Sequence, residues 1–183
     1  MKNILITGGT GFIGGHLISA VDGNVKILSR NQCSDYMTVV CDLKSEVIPD
    51  NALYGVGTVF HLAGFAHDLR DANKIEHLYR RVNVDATVRL AKLAVKSNVK
   101  RFVFISSVKA GESGVSNNKC MNDPEGVYGK TKREAEIELL KIGKESGMHV
   151  SIIHPSLVYR PNVKGNLALM LSGIQKRLVS TFA

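Results

Sequence analysis

Residues 4–14 read Ile-Leu-Ile-Thr-Gly-Gly-Thr-Gly-Phe-Ile-Gly, and this stretch decides the fold. Its first three residues form an unbroken apolar run, which is typical of a parallel strand buried on both faces. Residues expected on one buried helical face then follow at near-3.6 spacing: Phe12, Ile13, His16, Leu17, Ala20 and Val21. The sequence therefore predicts a strand, a glycine-rich turn and a helix over residues 12–21.

The glycines of this turn have the spacing of a phosphate-binding loop. Gly9, Gly11 and Gly14 follow the G-x-G-x-x-G pattern, while Gly8 gives the wider G-x-x-G-x-x-G spacing with the last two. Glycine tolerates positive φ and lets an anion approach the backbone, and the first N–H groups of a helix point at that anion along the helix dipole. Because a strand and a helix flank the turn, we interpret it as a pyrophosphate cradle for a dinucleotide rather than a plain connection.

Composition and charge exclude several classes of protein. The chain has 183 residues, of which 44% are hydrophobic and 22% charged, as in an ordinary globular domain. Its apolar stretches fall short of the roughly 20 residues of a membrane span and its start lacks the pattern of a signal peptide, so we expect a cytoplasmic protein with no membrane partner. The three cysteines, Cys33, Cys41 and Cys120, are too few and too irregularly spaced for a disulfide framework or a zinc site, and no metal is expected.

The formal net charge is +8, yet the Lys and Arg residues are dispersed through helices and loops. Nucleic-acid binding favours basic residues concentrated in a stripe with interleaved aromatic residues. We therefore expect no nucleic-acid partner. The excess positive charge is instead suited to steering small polyanions such as nucleotides.

Strand-like runs alternate with helical patterns along the chain. The apolar runs are at residues 4–6, 25–28, 37–40, 58–62, 102–105 and 150–153. Helical stripes lie between them, one formed by Val84, Val88, Ala91 and Val95 and another by Ala135, Leu139 and Ile142. Because parallel strands need long crossover connections, this alternation predicts an α/β protein with a doubly wound parallel sheet, the Rossmann fold.

This fold is expected over residues 1–165, as a dinucleotide-binding domain. Residues 166–183 contain a predicted helix over 166–176, and we interpret them as the start of an incomplete substrate-binding lobe. Two loop-like segments, 65–73 and 109–126, are rich in turn residues and fall where an open α/β sheet places its ligands. They are the candidate walls of the site.

Several motifs follow one another in a characteristic order. They are the glycine turn over residues 7–14, Asp42-Leu43, His61-Leu62-Ala63-Gly64, Asn83, Phe104-Ile105-Ser106-Ser107, Tyr128-Gly129-Lys130-Thr131-Lys132 and Pro155-Ser156-Leu157-Val158-Tyr159. In this order they resemble the extended short-chain dehydrogenase/reductases, specifically the nucleotide-sugar epimerase and dehydratase group. The resemblance spans nearly the whole chain. It implies a redox step on the sugar of a nucleotide-sugar substrate, with a tightly held nicotinamide cofactor.

Three residues are the candidate catalytic groups: Ser107, Tyr128 and Lys132. The tyrosine and the lysine are four residues apart on a predicted helix and therefore share one face. An ammonium beside a phenol favours the phenolate, so we expect this charge, helped by oxidised nicotinamide, to lower the pKa of Tyr128 and make it a general base. The resemblance implies that the second serine, Ser107 and not Ser106, hydrogen-bonds the substrate hydroxyl.

The resemblance also implies a larger set of cofactor-binding residues. They are Gly8, Gly11, Phe12, Ile13, Gly14, Arg30, Asp42, Leu43, Ala63, Gly64, Tyr128, Lys132 and Pro155. Asp42 and Leu43 would contact the adenine, while the small residues Ala63 and Gly64 let the backbone approach the ribose. The second strand ends without the acid that grips a ribose 2′-hydroxyl, and Arg30 there suits a 2′-phosphate. The expected cofactor is therefore NAD or NADP.

Two further polar residues have two interpretations each. Asn83 corresponds to an asparagine that holds the active-site framework in this group of proteins, but a buried, hydrogen-bonded helix residue explains it equally well. His61 is expected to pack in the core rather than to catalyse.

The residues after the catalytic serine bear on the reaction. Dehydratases of this group usually carry an Asp-Glu pair there, whereas Ser107 is followed by Val108, Lys109 and Ala110. This argues against 4,6-dehydration and favours a UDP-sugar 4-epimerase. A 4-keto-sugar reductase needs the same residues, and a dinucleotide-binding module without turnover is a third interpretation.

The chain also departs from the group's usual pattern. His154 precedes Pro155 where arginine is usual, and Arg160 follows Tyr159 where glycine is usual. Members of the group tend to dimerise through helices that correspond here to residues 84–97 and 128–145, so a homodimer is an expectation.

Overall fold

The computed structural model describes residues 2–44, 47–66, 74–111 and 123–156, together with positions 158 and 172. Within these ranges the strands are β1 Asn3–Thr7, β2 Asn24–Ser29, β3 Met37–Val40, β4 Thr58–His61, β5 Arg101–Ile105 and β6 His149–Ile153. The α-helices there are α1 Phe12–Ala20, α2 Glu76–Arg80, α3 Ala86–Lys96 and α4 Gly126–Ser146. A π-helical turn over Arg81–Asp85 joins α2 to α3, and short 3₁₀ turns occupy Asp50–Leu53 and Val108–Ala110.

The strands form one sheet in the order β3-β2-β1-β4-β5-β6, and each neighbouring pair is parallel. This confirms the predicted doubly wound α/β fold, and each predicted apolar run is a strand. The connections reverse direction between β1 and β4, where Thr7 pairs with His61 at the carboxyl ends of the two strands. An open α/β sheet places its ligand in the crevice at this reversal.

The two faces of the sheet are covered by different helices, which explains the unbroken apolar run in β1. Leu5 points to the large cluster shared with α3 and α4, where Leu90 and Leu139 are fully buried. Ile4 and Ile6 point to the opposite face, where they pack with Ile18 of α1 and with Ile27. Burying a side chain of this size stabilises the fold by about 1.5–3 kcal/mol.

The predicted buried face of α1 is partly wrong, because His16 and Ala20 are exposed. The helix instead buries Gly14 and Ile18. At Gly14 the helix backbone lies close against the glycine turn. The contact of α1 with the rest of the domain is therefore centred on Gly14 and on Ile18, one helical turn later. A hydrophobicity pattern does not register glycine as a packing residue.

The predicted stripe on α3 is shifted rather than absent. Ala91 is fully buried, Val88 and Val95 are half-buried, and the fully buried centre includes Leu90 and Ala94. A π-helical turn contains one residue more than an α-helical turn, so the buried face shifts after it.

Some expectations fall outside the described residues. They include most of the two predicted wall segments, over 67–73 and 112–122, the helix predicted over 166–176 apart from position 172, and Tyr159 with Arg160. The proposed boundary at residue 165 lies there too. None of the helices in the described part of the chain is long and apolar enough to cross a membrane.

Candidate active site

The glycine turn after β1 is shaped by close backbone contacts. Gly8 has φ +70, and a Cβ there would lie 2.7 Å from the Ala63 nitrogen in the loop after β4. A Cβ on Gly14 would overlap the Gly8 carbonyl oxygen and lie 2.7 Å from the Gly9 Cα. The turn is closed by a 2.9 Å hydrogen bond from the Gly11 N–H to the Gly8 carbonyl. Only glycine fits at Gly8 and Gly14 without moving the backbone.

The first turn of α1 is suited to an anion. Gly11 is the N-cap residue and supplies no capping side chain, and no acidic residue lies in the first turn. The N–H groups at the start of a helix have no partner within it. Those of Phe12, Ile13 and Gly14 therefore face the crevice end of β1 with the positive end of the helix dipole behind them. A diphosphate matches this donor set.

A directional chain of hydrogen bonds connects this turn to the helices on the other side of the crevice. The Ala63 N–H donates to Thr7 Oγ1 over 3.1 Å, and Thr7 Oγ1 lies 2.6 Å from His61 Nδ1. His61 Nε2 lies 2.8 Å from Thr87 Oγ1, which donates to the Asn83 carbonyl over 2.8 Å. Because the Thr87 hydroxyl donates its proton to that carbonyl, it can only accept a hydrogen bond from His61. His61 therefore donates from Nε2 and accepts at Nδ1, which defines one neutral tautomer.

His61 is a packing residue, as its sequence context indicated. Its side chain is fully buried and stacks on Phe104 with the ring centroids 5.7 Å apart. Burial and, to a lesser extent, the nearby Lys132 charge lower the pKa of His61 to about 3. The imidazole is therefore neutral throughout the physiological range.

Asn83 lies in the π-helical turn and fastens the loop after β4. Its Oδ1 accepts from the Phe65 N–H over 2.7 Å, and its Nδ2 donates to the Phe65 carbonyl over 3.1 Å and to Thr131 Oγ1 over 3.2 Å. A Cβ on Gly64 would lie 3.3 Å from Asn83 Oδ1 and 3.6 Å from Lys132 Nζ. Asn83 is thus buried and hydrogen-bonded, and it also joins the loop that carries Ala63 and Gly64 to α4.

Ser107, Tyr128 and Lys132 come together beside this loop. Ser107 lies just after β5, at the N-cap of the 3₁₀ turn that follows, and its hydroxyl is close enough to the Tyr128 phenol to lower the pKa of that group. Lys132 Nζ donates to the Ile105 carbonyl over 2.7 Å and lies 4.3 Å from the centre of the Phe104 ring. The three side chains therefore converge at the carboxyl end of β5.

The electrostatics of this cluster are dominated by burial. Burial raises the pKa of Tyr128, the hydrogen bond from Ser107 opposes that rise, and Tyr79 adds to it. Burial, partly offset by the Glu136 charge, lowers the pKa of Lys132 to about 8. In the chain alone the pKa of Tyr128 is thus raised, because desolvation of the phenol dominates and the Lys132 amine is engaged with the Ile105 carbonyl. The predicted lowering, which relies on oxidised nicotinamide as well as on the ammonium, stays a prediction.

The turn that carries Ser107 is docked onto the start of α4. The Glu125 N–H donates to the Lys109 carbonyl over 2.8 Å, and Lys109 Nζ lies 2.9 Å from Glu125 Oε1. A Cβ on Gly129 would overlap that same carbonyl oxygen. The Val108 N–H donates to the Pro155 carbonyl over 3.3 Å, which connects the turn to the end of β6.

The residues predicted to contact the adenosine lie at the carboxyl ends of β2 and β3. Arg30 and Asp42 are exposed and Leu43 is buried. Asp42 Oδ1 accepts from the Lys44 N–H over 3.0 Å, and the Leu43 carbonyl accepts from Arg89 Nη2 over 3.1 Å. They share the sheet edge with Gly8, but their contacts with a cofactor remain predictions.

One buried group was missed by the sequence analysis. Glu136 on α4 is fully buried and accepts hydrogen bonds from Ser106 Oγ and from Arg133 Nη1, the latter over 3.2 Å. His154 Nε2 lies 2.7 Å from Glu136 Oε1. The only available signal was the spacing of four residues from Lys132, which places both side chains on one helix face. No group of three or more potential metal ligands occurs among the described residues.

The sequence of the chain is similar to those of known proteins. A sequence model of the NAD dependent epimerase/dehydratase family matches residues 4–180. The chain is 37% identical over 195 residues to a UDP-glucose 4-epimerase of Vibrio cholerae, an alignment that covers 99% of this chain and 59% of that protein. It is 27% identical to tetraketide alpha-pyrone reductase 2 of Arabidopsis thaliana, covering 100% of this chain and 68% of that one.

Solved structures show the same fold. MoeE5 in complex with UDP-glucuronic acid and NAD is 30% identical with a TM-score of 0.71, over 88% of this chain and 58% of that one. UDP-glucuronic acid 4-epimerase from Bacillus cereus has a TM-score of 0.79 at 21% identity, over 96% of this chain and 63% of that one, and supports the fold alone. The chain thus spans about three-fifths of the length of several of these relatives.

Proposed function

Because the chain belongs to the NAD dependent epimerase/dehydratase family, we propose that it is the cofactor-binding part of an enzyme that epimerises a UDP-sugar at C4. The observation that carries this proposal is the convergence of Ser107, Tyr128 and Lys132 beside the crevice at the end of β1. The 37% identity to a UDP-glucose 4-epimerase supports the choice of reaction. Since the chain spans 59% of that relative, the activity is assigned to the whole protein.

The crevice fits NAD. The uncapped amides at the start of α1 would hold the diphosphate, and the two glycines that tolerate no Cβ, Gly8 and Gly14, leave the space that it needs. Asp42 and Leu43 would contact the adenine, and Ala63, Gly64, Tyr128, Lys132 and Pro155 would surround the ribose and nicotinamide. When bound, NAD accepts a hydride from a sugar carbon and returns it. The similar structure of MoeE5 contains NAD, which favours NAD over the NADP that Arg30 also allows.

The chain's own residues would move one proton. The Tyr128 phenolate would accept the proton of the sugar 4-hydroxyl when C4 is oxidised to the ketone, and the phenol would return that proton to the oxygen when C4 is reduced again. Ser107 holds the same oxygen by a hydrogen bond, because its hydroxyl already lies within reach of Tyr128. Since burial raises the pKa of Tyr128, the phenolate forms only once positive charge is brought next to it.

Lys132 supplies part of that charge. Its pKa of about 8 keeps the amine mostly protonated at neutral pH. A loss of activity on the alkaline side, as the amine deprotonates, is therefore expected in addition to any loss from other groups.

The reductase interpretation remains the second candidate. It is supported by the 27% identity to tetraketide alpha-pyrone reductase 2, and it uses the same three residues. The difference is chemical: a reductase consumes reduced cofactor with each turnover, whereas an epimerase returns the hydride and consumes none.

One experiment separates these candidates. The full-length protein is incubated with UDP-glucose and catalytic NAD, and the sugar anomeric signals are followed by NMR. Conversion to the C4 epimer with no net change in cofactor absorbance supports the proposal. Stoichiometric oxidation of NADH or NADPH with a keto substrate supports the reductase, and dinucleotide binding with no conversion of any sugar supports the module without turnover.

A further inference from the structure

Glu136 is a buried carboxylate to which the proposed reaction gives no step. It lies on α4 one helical turn after Lys132, and its side chain is 0% exposed. A buried charge is costly unless polar partners compensate it. The identity of those partners therefore indicates what the carboxylate is for.

The partners come from the ends of two strands and from α4 itself. Ser106, directly after β5, donates its hydroxyl proton to Glu136 Oε1. His154, directly after β6, places Nε2 2.7 Å from the same oxygen. Arg133 on α4 donates from Nη1 to Oε2 over 3.2 Å. One carboxylate thus joins β5 and β6 to the helix that carries Tyr128.

These contacts reach the residues on both sides of Ser107, one directly and one through a hydrogen bond. Ser106 is its immediate neighbour. His154 precedes Pro155, whose carbonyl accepts the hydrogen bond from the Val108 N–H over 3.3 Å. A shift of either strand end would therefore move the Ser107 hydroxyl away from Tyr128.

We propose that Glu136 is a positioning residue of the active site. Its carboxylate fixes the ends of β5 and β6 against α4, so that Ser107 stays within hydrogen-bonding reach of Tyr128. Because it lies four residues after Lys132 on the same face of α4, it also places a negative charge beside that buried amine. The kinetic part of this inference rests on the proposed function, while the electrostatic part does not.

The surrounding charges are consistent with the electrostatic part. The titratable or charged side chains that interact with this pair are Arg133 on α4, His61 on β4 and His154 after β6. His61 is neutral, because burial lowers its pKa to about 3. Glu136 is the group that raises the pKa of Lys132 against the larger effect of burial.

The first test measures the Lys132 titration in the chain as it stands. Lysine is labelled with ¹³C at Cε, and the Lys132 signal is identified by its loss in Lys132→Met. In Glu136→Gln we expect the pKa of Lys132 to fall by about one unit or more, the size of effect that a neighbouring charge has. The control Glu138→Gln removes the same charge from the same helix, outside this cluster, and should leave the Lys132 titration near the wild-type value.

An unchanged Lys132 titration in Glu136→Gln would overturn the electrostatic part. This measurement needs no turnover, so its failure is distinct from a failure of the epimerase assignment. Should Glu136→Gln not fold, Glu136→Asp decides the question. It retains the charge and should titrate as the wild type, and a Lys132 pKa lowered by a full unit in that variant would contradict the proposal.

The second test uses turnover by the full-length protein. At about pH 8, a one-unit fall in the Lys132 pKa cuts the protonated fraction from about one half to about one tenth, so kcat should drop about fivefold in Glu136→Gln with little change in KM. His154→Ala removes the β6 contact but keeps the Glu136 charge, and should lower kcat while the pKa of Lys132 stays at about 8. Equal kcat in His154→Ala and in Glu138→Gln would overturn the positioning part.

Discussion

The glycine turn after β1 and the start of α4 face each other across one crevice, yet they are built in opposite ways. At the turn, Gly8 and Gly14 shape the site by having no side chain, and the binding groups are backbone amides. At α4 the site consists of side chains, the half-buried Tyr128 and the buried Lys132 and Glu136, each held by a partner that is distant in sequence. The first site depends on local sterics and the second on long-range polar contacts, so they should fail differently when altered.

The largest expected effect is on the α4 side. Tyr128→Phe removes the proton acceptor, and kcat of the full-length protein should fall by roughly 10²–10⁴-fold, the usual contribution of a general acid or base. The dissociation constant for NAD, measured by calorimetry, should change far less than kcat, because the diphosphate site in the glycine turn is untouched. Turnover within twofold of the wild type would remove Tyr128 from the mechanism.

The matching change on the turn side should act on folding and binding together. In Gly14→Ala the new Cβ overlaps the Gly8 carbonyl, so the free energy of unfolding should fall by about 1–3 kcal/mol, and NAD binding should be lost. Gly15→Ala is the control, because a Cβ there lies 3.8 Å from the Gly9 carbonyl oxygen. Denaturant unfolding should find the control at least as stable as the wild type, since alanine is favoured over glycine within a helix. Equal stability of the two variants would contradict the steric account.

His61 connects the two sides, and its burial predicts a pH dependence. Its pKa is about 3 in the folded chain and about 6.5 when unfolded. Between these values the unfolded state binds more protons, so this residue lowers stability as the pH falls, by up to about 1.4 kcal/mol per pH unit.

Urea unfolding of the wild type and of His61→Asn at several pH values between about 7 and 4 measures this contribution. The variant should be less stable near neutrality, since it loses the bonds to Thr7 and Thr87, but its stability should fall less steeply with acidification. Parallel curves for the two proteins would show that His61 is not buried in its neutral form.

The smallest effect is expected at the exposed Arg30. Arg30→Ala should leave the NAD dissociation constant within about twofold, as is usual for an exposed position away from buried networks. Any NADP binding should weaken more, because a 2′-phosphate would lose its cationic partner. A large loss of NAD affinity would place Arg30 in the cofactor site itself.

The difference between the two sides also separates what could be predicted from sequence. The apolar runs predicted the strands, and the ordered motifs identified the family, which the match over residues 4–180 confirms. The glycine turn was identifiable because its determinants lie within a few residues. The exposure of His16 was missed because the contact of α1 is centred on Gly14, and a glycine carries no hydrophobic signal.

On the α4 side of the crevice, the sequence predicted which residues form the site but not the directions of their pKa shifts. Spacing placed Tyr128 and Lys132 on one helix face, but the directions of their pKa shifts depend on burial and on the carbonyl of Ile105, 27 positions away from Lys132. Glu136 was missed because its partners Ser106 and His154 come from two strand ends. The catalytic and cofactor-binding roles themselves remain predictions until the variants are measured.

The overlap that any side chain at Gly129 would have with the Lys109 carbonyl has a consequence for engineering. The Ser107 turn packs directly against α4 at Gly129, so this contact helps to set the distance between the serine and tyrosine hydroxyls. We therefore expect substitutions in the pocket walls to change substrate specificity without changing the distance between the Ser107 and Tyr128 hydroxyls. A bulkier residue at position 129 would separate these two hydroxyls, and substitutions in the pocket walls would not restore the distance.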